Sequence, residues 1–161
     1  MKKTLSHYGQ TGEVRMVDVS EKQDTTRTAR ARAFVAMRPS VLRQLAGNPK
    51  GDPLEIARIA GIAAAKRTWD LIPLCHPLLL SHVDVEATVR ARGIEITTSV
   101  SSTGPTGVEM EAITAAAVAA LTVYDMTKAL DKGIEIREIV LLEKTGGKSG
   151  SYRRAPHGRK K

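Results

Sequence analysis

Cysteine occurs once in this chain of 161 residues, at Cys75, and aromatic side chains make up only 3% of it. A single cysteine excludes an internal disulfide framework and a multi-cysteine metal site, and it suits a reducing cytoplasm. With so few aromatics, the core has to be built from Ala, Val, Ile and Leu. Long apolar runs are also lacking. No segment approaches the length of a membrane span, and the lysines of "MKKTLSHYGQ" are not followed by an apolar stretch of signal-peptide length.

What is present is an ordinary globular composition, 42% hydrophobic and 26% charged, in a chain long enough for one domain with a real core. The net charge is +8, but its placement matters. The last eleven residues, "SYRRAPHGRKK", carry five basic groups and no acidic one. The remainder is only modestly basic, so the overall charge argues for a solvated basic tail rather than a nucleic-acid-binding surface. The expected organisation is a mobile segment over 1–15, a single domain over 16–150 and a basic, disordered tail over 151–161.

Periodicity supplies the elements. "TARARAFVAM" (28–37) alternates, with alanines, Val35 and Met37 on one face and arginines on the other, and predicts a strand. "PSVLRQLAG" (39–47) predicts a short helix capped by Ser40. Asp52 before Pro53, with Glu55 three residues on, opens a second helix through Trp69. "SHVDVEATVRA" (81–91) and "IEITTSVS" (94–101) each have period two and flank a turn at Gly93, which predicts a hairpin. "VEMEAITAAAVAALTVYDMTKALDK" (108–132) predicts one long helix and "IEIREIVLLEK" (134–144) a last strand. Strand, helices, strand, strand, helix, strand is the order of a ferredoxin-like split βαβ fold. This α+β class packs its helices on one face of a four-stranded antiparallel sheet. The other sheet face would be open, or covered by a second subunit.

Three stretches carry candidate chemistry. In "DLIPLCHP" (70–77), Pro73 and Pro77 exclude a helix and fix the directions of the side chains between them. Adjacent residues in extended chain point to opposite faces, which argues against Cys75 and His76 acting as a nucleophile–base pair. Cys75 reads as a small buried hydrophobe, and His76 as either a structural or a functional imidazole. In the long helix, Asp125 and Lys128 are i,i+3 neighbours, and Glu111 falls on nearly the same face as Asp125, about four turns away. The alanines and valines around Asp125 make burial plausible. A semi-buried carboxylate–lysine pair would suit proton transfer, and an exposed pair would be a surface contact only. "EKTGGKSG" (143–150) fails as a Walker A loop, because residue 142 is leucine and no helix follows. With Lys144 and Lys148 it could still receive an anion, as could Lys50 on the turn "NPKGD".

The wording of the motifs adds a resemblance. "MVDVS" (16–20), "KGD" (50–52), "ARIAGIAAAKRTWDLIPLCHPLLLS" (57–81), "TGVEMEA" (106–112), "ALTVYDM" (120–126) and "KTGGKSG" (144–150) together resemble the cyclic pyranopterin monophosphate synthase family. These are the C proteins of molybdenum cofactor biosynthesis. The resemblance implies a cytoplasmic lyase, a phosphorus–oxygen lyase acting on 3′,8-cyclo-7,8-dihydroguanosine 5′-triphosphate. The products would be cyclic pyranopterin monophosphate and diphosphate, with the substrate supplied by an upstream radical SAM enzyme. It implies a hexamer, a trimer of dimers, with active sites at dimer interfaces. Carried over residue by residue, it implies catalytic roles for Asp125, Lys128 and Lys50. Substrate contacts would come from Leu74, Cys75, His76, Met110, Glu111, Arg27, Lys66, Lys144 and Lys148. No metal ligands are implied, and no cofactor is required from sequence, although magnesium is compatible with the triphosphate.

Two other classes compete. A basic ferredoxin-like module could bind nucleic acid without catalysis, but Phe34 is the only phenylalanine and the strands lack the aromatic set that base stacking uses. An oligomeric scaffold would use its charged pairs for subunit contacts alone. The reading adopted here has no membrane partner and no specific nucleic acid.

Overall fold

The computed structural model describes residues 7–9, 11–148 and 150–155. A five-stranded sheet in the order β2-β3-β1-β4-β5, antiparallel throughout, carries the helices on one face. Its strands are β1 (Thr25–Ala36), β2 (Leu80–Arg90), β3 (Gly93–Gly104), β4 (Glu135–Thr145) and β5 (Tyr152–Arg153). The helices are α1 (Pro39–Leu42), α2 (Pro53–Lys66), α3 (Thr68–Leu71) and α4 (Glu109–Thr127), with a 3-10 turn at Leu45–Gly47. This is the split βαβ arrangement the sequence predicts, with one strand more. Tyr152 and Arg153 fall in the stretch expected to be a disordered tail, yet they pair with Lys144 and Glu143. Arg154 continues the contact, its backbone N–H donating to Leu142 O and its Nε to Leu141 O. The bases of 156–161, His157 among them, lie outside the described residues, as do 1–6 of the expected mobile segment. Tyr8 and Val14 of that segment form an isolated antiparallel bridge.

Alternation places the core. Ala29, Ala31, Ala33 and Val35 of β1 and Ile94, Ile96 and Val100 of β3 are buried beneath α4, which answers with Ala112, Ala115, Ala116, Ala119, Ala120 and Val123. Small side chains let helices and sheet approach closely. A Cβ on Gly61 of α2 would lie 3.0 Å from the Ala115 carbonyl of α4 and 3.1 Å from Val85 of β2. On the opposite sheet face the arginines of β1 meet carboxylates. Arg30 pairs with Glu143 at 3.2 Å, and Arg32 with Glu138.

Three helix boundaries differ from the sequence expectation, and each has a local cause. Pro39 rather than Ser40 opens α1, with Arg38 as its N-cap, and the expected helix over 39–47 breaks into α1 and the 3-10 turn. The helix expected through Trp69 breaks at Arg67, where the buried Thr68 hydroxyl donates to the Ala64 and Ala65 carbonyls. The long helix ends at Thr127 rather than near 132. There Asn48 Nδ2 donates to Met126 O at 2.8 Å, taking an end carbonyl, and the chain turns through Leu130.

Candidate active site

The proline-bounded segment does what its composition dictates. Cys75 N–H donates to Ile72 O at 3.0 Å to close a turn, and residues 75–79 form neither helix nor strand before β2 begins at Leu80. Leu74, Cys75 and His76 thus form one wall of a cleft of about 1290 Å³. The first turn of α4 supplies Glu109, Met110 and Glu111, and the preceding loop Pro105, Thr106 and Gly107. Arg27 enters from β1, and Lys144, Gly146, Gly147 and Lys148 from the end of β4 and its turn. Eight of the expected substrate-contact residues therefore converge on one cavity: Arg27, Leu74, Cys75, His76, Met110, Glu111, Lys144 and Lys148. Ser149 of the same motif lies outside the described residues.

The chain before β1 completes the cleft with Asp18, Glu21 and Lys22. Sequence reasoning assigned these no role, since the irregular stretch has no period to read. Asp18 accepts from Ser20 N at 2.9 Å and Ser20 Oγ at 2.7 Å, which folds it into a turn and lowers its pKa. Glu109 was also passed over. Its carboxylate pairs with Lys144 Nζ at 2.6 Å, tying α4 to β4 across the cleft.

Glu111 is the unusual group. Its side chain is only 3% exposed, and among the described residues no lysine or arginine forms an ion pair with it. A carboxylate in the first turn of a helix ought to be favoured by the helix dipole. Here burial outweighs that, and its pKa is raised to about 7, with the nearby Glu109 charge adding to the rise. Burial and the Glu111 charge together push the Cys75 thiol up, away from the thiolate a nucleophile needs.

The expected catalytic residues form a second cluster at the far end of α4. Asp125 accepts from Lys128 Nζ at 2.6 Å, and Lys50 is near enough to contribute to lowering the Asp125 pKa. The Lys50 turn is fastened there by Asn48, whose Oδ1 accepts from Lys50 N and whose Nδ2 reaches Met126 O. Burial of the pair, which the neighbouring alanines and valines suggested, is not found. The side chains of Asp125 and Lys128 are 59% and 52% exposed, because Val123 and Met126 occupy the helix face that turns inward. Their hydrogen bond lowers the pKa of Asp125 and raises that of Lys128, so both stay charged. Fourteen residues at 1.5 Å each separate Glu111 from Asp125 by about 21 Å along the helix. Lys66 is exposed in the last turn of α2 and lines no part of the cleft. Among the described residues no three His, Cys, Asp or Glu side chains are grouped to hold a metal ion. No helix among them is long and apolar enough to cross a membrane.

Comparison with known proteins agrees with the motifs. The chain is 59% identical over 157 residues to a cyclic pyranopterin monophosphate synthase of Methylobacterium sp. (strain 4-46), covering 95% of this chain and 98% of that protein. It is 57% identical over 157 residues to another protein so named from Streptomyces griseus, covering 96% of this chain and 89% of that one. The MoaC family model matches residues 16–147. That span contains β1 to β4, every helix among the described residues and all but Lys148 of the expected site residues, and by it the chain belongs to the MoaC family.

Proposed function

We propose that the chain converts 3′,8-cyclo-7,8-dihydroguanosine 5′-triphosphate into cyclic pyranopterin monophosphate and diphosphate, a phosphorus–oxygen lyase step of molybdenum cofactor biosynthesis. The observation that carries this reading is near full-length identity to proteins named for that synthesis. The cleft suits it chemically. Lys22, Lys144 and Lys148 offer cations for a triphosphate and for the departing diphosphate, while Glu111 and His76 face the space a ring system would fill. The ribose-derived hydroxyl attacks the α-phosphorus, the cyclic phosphate closes, and diphosphate leaves. Magnesium is compatible with the triphosphate and would be carried by its phosphate oxygens.

Rearranging a purine into a pterin needs several proton transfers, and the catalytic pair expected for them is not in the cleft of one chain. Asp125 and Lys128 are the carboxylate–lysine pair suited to them, yet they lie at the other end of α4. The reading therefore joins two copies, the Asp125 cluster of one closing on the cleft of the other. Covering that pair removes water from it, which lowers the lysine's pKa toward a useful acid–base range. Lys50 closes over the substrate as part of the same cluster. Exposed apolar side chains fit such an assembly: Ile59, Trp69, Leu79 and Leu121 are 60%, 49%, 92% and 56% exposed. Dimers of this kind assembled in threes give the expected hexamer. A radical SAM enzyme upstream supplies the substrate, and the reaction belongs to the cytoplasm.

The test is turnover of freshly made cyclic dihydro-GTP, following diphosphate release and the fluorescence of the oxidised pterin, with Asp125→Asn alongside. Wild type releases both products, and the variant assembles normally and releases neither. Mixing Asp125→Asn with His76→Ala under subunit exchange tests the shared site. Random re-pairing leaves one intact site in half the dimers, so about a quarter of wild-type activity returns. If the mixture stays inactive while exchange is demonstrated, each chain supplies its own complete site and the two-copy reading is wrong.

A further inference from the structure

Arg27 lines the cleft, but its guanidinium is already engaged. Nε donates to Gly104 O at 2.9 Å and Nη2 to Pro105 O at 3.0 Å, both on the loop that leads from β3 into α4. The other terminal nitrogen, Nη1, lies against Gly147, where a Cβ would overlap the guanidinium. Gly146 is pressed in the same way, since a Cβ there would overlap the Thr26 carbonyl and lie 3.3 Å from the Arg27 Cα. Both glycines have positive φ, +87° and +75°. One planar side chain thus lies between two cleft-lining loops. One loop ends in Glu109, Met110 and Glu111, and the other joins Lys144 to Lys148.

We propose that Arg27 is a positioning residue whose guanidinium sets the separation between the first turn of α4 and the lysine-bearing turn at 144–148. Gly147 is required because that guanidinium occupies the volume a side chain would take. This rests on the cleft being the substrate site, as read above. A fork with donors in fixed directions reaches two successive carbonyls, and an ammonium on a flexible stem cannot replace it at both. The opposing assignment, a direct cationic contact to phosphate, makes different predictions, because lysine conserves the charge and Gly147→Ala leaves Arg27 in the chain.

The experiment measures kcat and KM for the cyclic triphosphate with Arg27→Lys, Gly147→Ala, the double variant and Gly150→Ala. Binding of inorganic tripolyphosphate by calorimetry serves as a second readout. Gly150→Ala is the control for backbone strain: its φ is also positive, +68°, but a Cβ there meets nothing within 4 Å. Both Arg27→Lys and Gly147→Ala raise KM by about 10- to 100-fold, the cost of misplacing binding groups by around an ångström. They weaken tripolyphosphate in parallel. The double variant is no worse than the poorer single within about twofold, since both changes break one device. Gly150→Ala stays near wild type in both readouts. Near-normal KM in Arg27→Lys or in Gly147→Ala, multiplicative losses in the double, or an equal loss in Gly150→Ala would each overturn the assignment. Wild-type turnover in the same assay separates this result from the functional reading. If wild type is inactive, that reading fails, and tripolyphosphate binding still decides the role of Arg27.

Discussion

Removing the charge of Glu111 should stabilise the protein at alkaline pH and do almost nothing at acid pH. In the folded chain the Glu111 carboxyl titrates at about 7, against an ordinary value of 4.5, chiefly because it is buried. That displacement corresponds to about 3 kcal/mol between its protonation states. Below pH 4.5 the group is protonated in folded and unfolded chains alike and contributes nothing. Between 4.5 and 7 the unfolded chain ionises while the fold holds its proton, so stability declines as pH rises. Above 7 both are ionised and the full penalty is present. Glutamine keeps the shape and the polar contacts but has no charge to bury. The charged and titratable groups lining the same cleft are His7, Asp18, Glu21 and Lys22 before β1, Arg27 on β1, Cys75 and His76 on the proline-bounded segment, Glu109 on α4, and Lys144 and Lys148 at the end of β4 and its turn. They are common to both proteins, so only their coupling to the Glu111 charge, that of Glu109 first, enters the difference. Urea unfolding of wild type and Glu111→Gln, at one protein concentration and at pH 4, 6 and 8, reads the effect. The variant's advantage grows from near zero to about 3 kcal/mol, or a Tm rise of roughly 6–12 °C at pH 8. A difference that is flat across pH, or a variant less stable at pH 8, would show that Glu111 is not held protonated by its surroundings. The same variant should bind substrate more weakly, a trade of activity for stability common at sites that bury polar groups.

Two further changes probe the scaffold and the second cluster. Gly61→Ala adds a better helix former to α2 but forces a methyl to within 3.0 Å of the Ala115 carbonyl and 3.3 Å of the Ala119 Cβ on α4. Overpacking costs about 1–3 kcal/mol against a propensity gain of about 1, so denaturant midpoints fall; a rise would mean the helices can separate freely. Asn48→Ala frees the Lys50 turn from Met126 O and from its own side-chain contact. It lowers kcat/KM by about tenfold without changing the assembly state, measured by steady-state kinetics beside light scattering, and unchanged kinetics would remove the turn from the site.

Much of the fold was legible because its signals are periodic. The alternation of 28–37 located β1 and its buried alanines, and the alanine-rich run after Gly107 located α4. What stayed hidden had no period. Two residues, Tyr152 and Arg153, cannot show alternation, and β5 exists because β4 offers them an edge to pair with. The wall formed by residues 17–25 up to the start of β1 is irregular and is held by local hydrogen bonds such as those of Asp18. Helix ends were misplaced where a side chain intervened, Thr68 at one and Asn48 at the other, because a composition-based reading does not see which carbonyl a hydroxyl or amide will take.

The candidate site divides along the same line. Leu74, Cys75, His76, Met110 and Glu111 were named as a set by the family resemblance, proline geometry adding only that the first three sit on a segment of fixed direction, and the fold brings all five to one cleft. Asp125 and Lys128 pair as their i,i+3 spacing predicts, but the burial expected of them is not found, since neighbouring alanines and valines say nothing about which way a given residue faces. At 100° per residue, the burial of Val123 and Met126 turns Asp125 outward. The result is an asymmetry in charge. At one end of α4 a buried carboxyl holds its proton near neutrality, and at the other an exposed pair is fully ionised. A protonated acid and an ionised carboxylate–lysine pair are complementary components for moving protons around a ring, and a helix of fixed length keeps them apart within one chain. Under the two-copy reading proposed above, bringing them together is a matter of assembly rather than of folding, and no periodicity within one sequence encodes it.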